Sequence, residues 1–263
     1  MKRFLIGFLF LFSLLFSLIV ISSCSHKITK KTEVKVCSGA GLIKPMNELI
    51  NLFKKKYDMK VEVHYGGSAE IFSILQTTCG CDVFIPGAYK YLEDVEKRGY
   101  ILKDTVKKLV LHIPVIAVPK GNPGKIKSLE DLAKKGIKVA LGDPKACAIG
   151  KVAVKILKKA HLWNKVKKNV ITFTPTVNQL LIYIATSQVD AAIIWEDLTT
   201  WAQAKGKIET IQIKPNIIKT IPTAVTTCAK NRKALKAALL FNNFISSNSA
   251  LKVWEKWGFK PCK

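Results

Sequence analysis

VKVCSGAGLIKPMNELINLFKKK, residues 34–56, decides how this chain reads. Val34-Lys35-Val36-Cys37 is a β-branched run of strand type. From Leu42 the apolar residues fall at Leu42, Met46, Leu49, Ile50 and Phe53, the spacing of one helix face. Between them Ser38-Gly39-Ala40-Gly41 reads as a turn of small residues. The same order recurs outward. Strand 61–64 leads to helix 69–78, and strand 82–85 to helix 89–98. Further on, strand 138–141 leads to helix 150–160, and strand 170–173 to helix 177–187, with a strand at 191–194. Such alternation predicts an α/β fold of mostly parallel sheets flanked by helices.

The pattern breaks twice. His112-Ile113-Pro114 precedes a strand at 115–118 and the loop Pro119-Lys120-Gly121-Asn122-Pro123-Gly124. After a strand at 208–213, Ile221-Pro222-Thr223 mirrors the first break. Between the two, Ser128-Leu129-Glu130-Asp131-Leu132 looks like a short capped helix. Helices at 233–246 and 250–257 close the chain. Two crossings of one hinge predict two lobes, 33–112 with 222–263 and 113–221. A ligand between such lobes sits beyond the carboxyl ends of the strands. Hinge closure then buries it.

The N-terminus sets the compartment. Lys2 and Arg3 precede an apolar stretch at 4–21, followed by Ser22-Ser23-Cys24-Ser25. Basic, apolar and small-residue regions in that order read as a secretory signal. An uncleaved anchor is the alternative, since the apolar stretch sits at the lower limit for crossing a bilayer. Ile21-Ser22-Ser23-Cys24 resembles the bacterial lipobox. That resemblance implies a signal peptide over 1–23 and a lipid on Cys24. Residues 24–32, with His26 to Thr32 polar and basic, read as a tether. The protein is expected outside the cytoplasm, held at a membrane through Cys24.

The formal net charge is +25, carried mostly by lysines on helix faces. A solvated lysine-rich surface accounts for it, and such a surface also attracts anions. Nucleic-acid binding is not expected, because no stretch interleaves basic and aromatic residues on one face. Cys37, Cys79, Cys81, Cys147, Cys228 and Cys262 allow fifteen pairings. One or two disulfides are expected. Cys79-Gly80-Cys81 is too tight for a simple mutual bridge and lacks zinc-site spacing.

Four strand-to-helix turns carry the expected chemistry: Cys37 to Gly41, Gly66 to Ala69, Gly142 to Gly150 and Thr174 to Asn178. Two belong to each lobe. Free N–H groups of a helix's first turn favour an anion. A carboxylate ligand would call for arginine. Beyond Arg3 there are only Arg98 and Arg232, and neither lies in these turns. Catalysis is not expected, although Cys37 and His64 form one conceivable nucleophile–base pair.

At these turns the sequence resembles the molybdate/tungstate-binding proteins of ABC importers, a branch of the type II periplasmic-binding-protein fold. The resemblance rests on GGSAEI (66–71), CDVFIPGA (81–88), VPKGNP (118–123), SLEDLAKKGIKVALGDP (128–144), TVNQLLIYIATSQVDAAIIW (176–195) and WEKWGF (254–259). It implies a monomeric receptor for a tetrahedral oxyanion, molybdate or tungstate, with no cofactor, no resident metal and no enzymatic activity. Its partners would be the permease and ATPase subunits of the importer. Sulfate or phosphate is the alternative ligand. The family's anion contacts fall on Gly41, Ser68, Ile149, Val177 and Trp195, with Ala40 and Gly67 beside them. Gly41 and Trp195 depart from the family's serine and tyrosine. Without a hydroxyl at Gly41, its N–H and that of Ala40 must serve, unless Ser38 substitutes. Trp195 offers an N–H donor and no acceptor. Glu196 and Asp197 read as a solvated loop.

Overall fold

The computed structural model describes residues 32–262. The strands are β1 (Glu33–Gly39), β2 (Lys60–Gly66), β3 (Val83–Ile85), β4 (Lys107–His112), β5 (Pro114–Pro119), β6 (Val139–Gly142), β7 (Val170–Thr174), β8 (Ala191–Trp195), β9 (Ile208–Gln212), β10 (Lys219–Val225) and β11 (Lys260–Pro261). The helices are α1 (Ile43–Tyr57), α2 (Ser68–Thr78), α3 (Tyr89–Lys97), α4 (Ala148–Lys159), α5 (Trp163–Val166), α6 (Val177–Ala185), α7 (Cys228–Asn231), α8 (Leu235–Ile245) and α9 (Asn248–Lys256). Phe4 to Ile21 and Cys24 lie outside the described residues.

Two sheets organise the chain, in the orders β11-β4-β10-β3-β1-β2 and β7-β6-β8-β5-β9. Pairing is parallel for β1 with β2 and β3, and for β6 with β7 and β8. The hinge strands make both sheets mixed. β5 runs antiparallel to β8 and β9, and β10 antiparallel to β3 and β4. A strand that arrives straight from the other sheet has no crossover helix to turn it parallel.

The first crossing is Ile113, between β4 and β5. The second runs through 213–218, ahead of the Ile221-Pro222-Thr223 expected to form it, because β10 already pairs with β4 from Lys219. Pro222 sits where the β10–β4 register shifts. A missing N–H is tolerated at such an irregularity.

Each sheet buries its own apolar residues. Val34, Leu42, Phe53, Phe241 and Trp254 pack over one face of the first sheet. Cys37, Ile71, Phe84 and Leu92 form a smaller cluster on that sheet. Val115, Leu141, Ile149, Leu180 and Ile193 belong to the core of the second sheet. The helix faces spaced in threes and fours supply these residues, as the amphipathic pattern requires.

Two disulfides pin the first lobe, Cys37–Cys81 and Cys79–Cys228. The tight Cys79-Gly80-Cys81 thus sends its sulfurs to two different elements. Cys147 and Cys262 are free. The turn at 128–132 differs from the expected form. Its 3-10 helix spans Glu130–Ala133 and has no side-chain cap from Ser128. Asp131 Oδ2 instead accepts the N–H groups of Lys127 and Ser128, at 2.6 and 3.2 Å.

Candidate functional site

Each of the four turns ends a strand and starts a helix at the same place between the sheets. After β1, a 3-10 turn over Ala40–Leu42 feeds α1. After β2, α2 begins at Ser68 behind Gly67. After β6, Asp143 organises the turn into α4. Its carbonyl accepts Ala146 N–H and Cys147 N–H at 3.1 and 3.0 Å, and its Oδ1 accepts Lys145 N–H at 2.7 Å. Gly150 lets α4 lie directly on the end of β6, since a Cβ there would overlap the Gly142 carbonyl. After β7, Thr174 Oγ1 donates to the Thr176 carbonyl at 2.9 Å and α6 begins at Val177.

The cap residues of α2, α4 and α6 are Gly67, Cys147 and Thr176, and none makes a side-chain cap hydrogen bond to its helix, although Glu70 Oε2 turns back to accept the Gly67 N–H at 3.3 Å. First-turn N–H groups are therefore left for other partners. One is taken across the lobes, where Ala69 N–H donates to the Ala146 carbonyl at 3.0 Å. A second contact between lobes runs from Asn178 Nδ2 to the Ala40 carbonyl at 3.1 Å. The two lobes are closed on one another.

Between them lies a cavity of about 30 Å³. Ala40, Gly41, Gly67, Ser68, Ile149, Val177 and Trp195 all stand on its wall. Ser38 does not, and its hydroxyl is buried without a partner. Among the described residues, no lysine or arginine lines the cavity. Ser68 is 3 % exposed, and its Oγ accepts Gly87 N–H at 3.3 Å. The glycines hold the walls close: a Cβ on Gly41 would stand 3.1 Å from Val177 Cγ1.

Three wall residues lie outside the four turns, Leu42, Gly87 and His112, and Cys147 joins them from the third turn. His112 ends β4, and its ring stacks on Trp195 with centroids 3.7 Å apart and planes 16° apart. Its Nδ1 is 2.9 Å from the Gly87 carbonyl, and its Nε2 is 3.2 Å from Asp197 Oδ1. Asp197 is buried, not solvated as its sequence suggested. Burial pushes its carboxyl above the usual range, opposed by His112. Glu196 is half-buried and meets Lys260 Nζ at 3.2 Å. Burial also pushes the Cys147 thiol up to about 11, so it is neutral at ordinary pH.

Cys37 cannot be a nucleophile while bonded to Cys81. His64 pairs instead with Glu70 at 2.7 Å, half-exposed. Arg232 Nη1 donates to Asp82 at 2.8 Å, and Arg98 lies over the Phe72 ring. Both arginines thus serve the first lobe away from the cavity. Among the described residues, no three His, Cys, Asp or Glu side chains converge to hold a metal ion.

Known proteins of this kind are solute-binding proteins, not enzymes. The chain is 26 % identical over 231 residues to a Bacillus subtilis lipoprotein ascribed to substrate binding for an ABC transporter, covering 88 % of this chain and 87 % of that one. The substrate-binding domain ascribed to a molybdenum ABC transporter of Clostridium difficile superposes with a TM-score of 0.66 at 24 % identity, over 88 % of this chain and 99 % of that one. The sulfate-binding protein SubI of Mycobacterium tuberculosis superposes with a TM-score of 0.77 at 19 % identity, over 88 % of each chain. These likenesses fit the two-lobed fold of ABC-importer receptors, which bind small molecules for a permease and an ATPase. A model of the bacterial extracellular solute-binding proteins matches residues 34–260, and the chain belongs to that family.

Proposed function

We propose that the protein captures a tetrahedral oxyanion, molybdate or tungstate first, and delivers it to an ABC importer. One observation carries the reading. Three helices of eight residues or more start on one small cavity, and none is capped by the side chain of its own cap residue. Uncapped N–H groups and helix dipoles favour an anion without a fixed cation. The cavity is far smaller than the roughly 300–1,000 Å³ that organic ligands occupy. In this reading the N–H groups of Ala40, Gly41, Ile149 and Val177, the Ser68 hydroxyl and the Trp195 indole surround the anion, while Gly67 stands on the wall with its own N–H held by Glu70 Oε2.

Sulfate is the second reading, favoured by the small volume and by the similarity in fold to the sulfate-binding SubI. Isothermal titration with molybdate, tungstate, sulfate and phosphate separates the readings. Tight one-to-one binding of molybdate or tungstate, with sulfate much weaker, is expected. Sulfate as the tightest ligand establishes the second reading, and no binding of any of the four refutes both.

Residues 1–23 serve in this account as a signal peptide and Cys24 as the lipidated first residue. The similarity to a lipoprotein supports that assignment. A tether over 24–32 keeps the receptor near its permease and raises its effective concentration there. The lobes act as a monomer, 33–112 with 219–263 against 113–218, the second boundary moved from 222 to where β10 joins the first sheet. Replacing Cys24 by alanine is expected to move the protein from the membrane fraction to the soluble fraction. Unchanged fractionation with residues 1–23 removed from the variant would exclude the lipid, whereas with them retained the apolar stretch itself is the anchor.

A further inference from the structure

The cavity wall holds one ionisable pair that the oxyanion contacts leave unused. His112 is 1 % exposed and Asp197 2 %. The Gly87 carbonyl has no hydrogen to give, so His112 Nδ1 carries a proton and donates it. On the other side Nε2 faces the Asp197 carboxyl at 3.2 Å. That approach lacks the alignment of a hydrogen bond, and two bare lone pairs repel at that distance, so the pair holds a second proton. It sits on the imidazole or on the carboxyl, and in both cases the pair is neutral overall. Loss of that proton leaves one net negative charge, buried beside the cavity.

The surroundings sharpen the consequence. Of the cavity-lining residues, His112 is the one side chain able to carry positive charge. Trp195 and Phe259 pack on its ring and bring no charge. Cys147, also on the wall, is neutral. Glu196 adds negative charge near Asp197, and Lys260 answers it from β11. Among the described residues, Asp197 Oδ2 has no hydrogen-bond partner. Among the described residues, no other charged side chain meets the pair.

We propose that the His112–Asp197 pair is a proton switch for this site, keeping one proton while an oxyanion is bound and weakening capture once that proton is lost. The inference rests on the oxyanion reading above. His112 and Asp197 act as positioning residues: they set the charge and the orientation of the Trp195 ring. Linkage fixes the sign. A bound dianion favours the protonated pair, so binding takes up as much as one proton. Above the pH at which the free pair loses its proton, affinity falls by about tenfold per pH unit.

The test is calorimetric titration with tungstate, a dianion throughout, from about pH 6 to 10 in two buffers of different ionisation enthalpy. The expected result is a flat affinity that breaks to a tenfold-per-unit fall, with proton uptake approaching one per tungstate. Asp197→Asn and His112→Gln should each remove the break. Ring nitrogen NMR of the unsubstituted protein covers the case in which a variant does not fold. Tungstate should move the His112 titration to higher pH. Tungstate binding with flat affinity and no proton uptake overturns the switch and leaves the oxyanion reading intact. A break that persists in both folded variants, or a His112 titration unmoved by tungstate, overturns it too. No tungstate binding at any pH removes the tungstate reading itself.

Discussion

A Cβ added to Gly67 would stand 2.8 Å from the carbonyl oxygen of Pro175, on the opposite lobe. The Ala146 carbonyl would be 2.9 Å away. Both obstacles are backbone atoms, so nothing flexible can yield. Gly67 itself has φ −61° and ψ 150°, a conformation that alanine adopts freely. Gly67→Ala therefore penalises the closed state and leaves the separate lobes unstrained. We expect molybdate affinity to fall by at least about tenfold, because a ligand's apparent affinity scales with the population of the competent state. The thermal midpoint without ligand should change little. Calorimetry and a melting curve on the same sample check both halves.

Ser68 stands at the first position of α2, and its hydroxyl is the one side-chain oxygen among the proposed contacts. Ser68→Ala removes that group and leaves the helix N–H in place. A hydrogen bond to a charged partner contributes roughly 1.5–3 kcal/mol. Affinity for molybdate should fall about 10- to 100-fold. A variant that binds unchanged places the anion away from α2.

Trp195 has two separable roles. Trp195→Phe keeps an aromatic ring against His112 and deletes the indole N–H, so binding should weaken with little loss of stability. Trp195→Ala also empties a buried site and should cost about 3–5 kcal/mol of folding stability. Urea denaturation distinguishes the two by midpoint, provided the slope is unchanged.

The disulfides should differ in weight. Cys79–Cys228 closes 149 residues and Cys37–Cys81 closes 44. Loop-closure entropy then favours the longer bridge by about 1 kcal/mol. Replacing Cys79 and Cys228 together with serine should lower the thermal midpoint more than replacing Cys37 and Cys81. Equal losses would show that the shorter bridge has a further native-state role.

The two remaining thiols should react unequally. Cys147 is buried, with its thiol pushed up to about 11, whereas Cys262 is part-exposed near the end of the chain. Brief alkylation at neutral pH should label Cys262 and spare Cys147, as read by peptide mass spectrometry. Labelling of both in the folded protein would mean that the cavity wall opens readily.

Much of this was legible because it is local. The strand, turn and helix of 34–56 announce themselves through periodicity, and so do the other three turns. Ala40, Gly41, Gly67, Ser68, Ile149, Val177 and Trp195 were named through turn chemistry and resemblance, and they share one cavity wall. What stayed hidden depends on distant partners. β4 carries Lys107 and Lys108 beside only three apolar residues, and its place is fixed by β10, far along the chain. His112 marked only a change of pattern until Gly87, Trp195 and Asp197 surrounded it. Asp197, acidic and next to Glu196, read as solvated, yet the fold buries it against that ring.

The central claim is that the cavity between the four turns holds a tetrahedral oxyanion. Anomalous diffraction from crystals grown with molybdate or tungstate tests it directly. The account predicts one strong heavy-atom peak inside the cavity, ringed by four oxygens that reach the N–H groups of Gly41, Ile149 and Val177 and the Ser68 hydroxyl. A peak elsewhere on the protein, or an empty cavity at saturating anion, would contradict it.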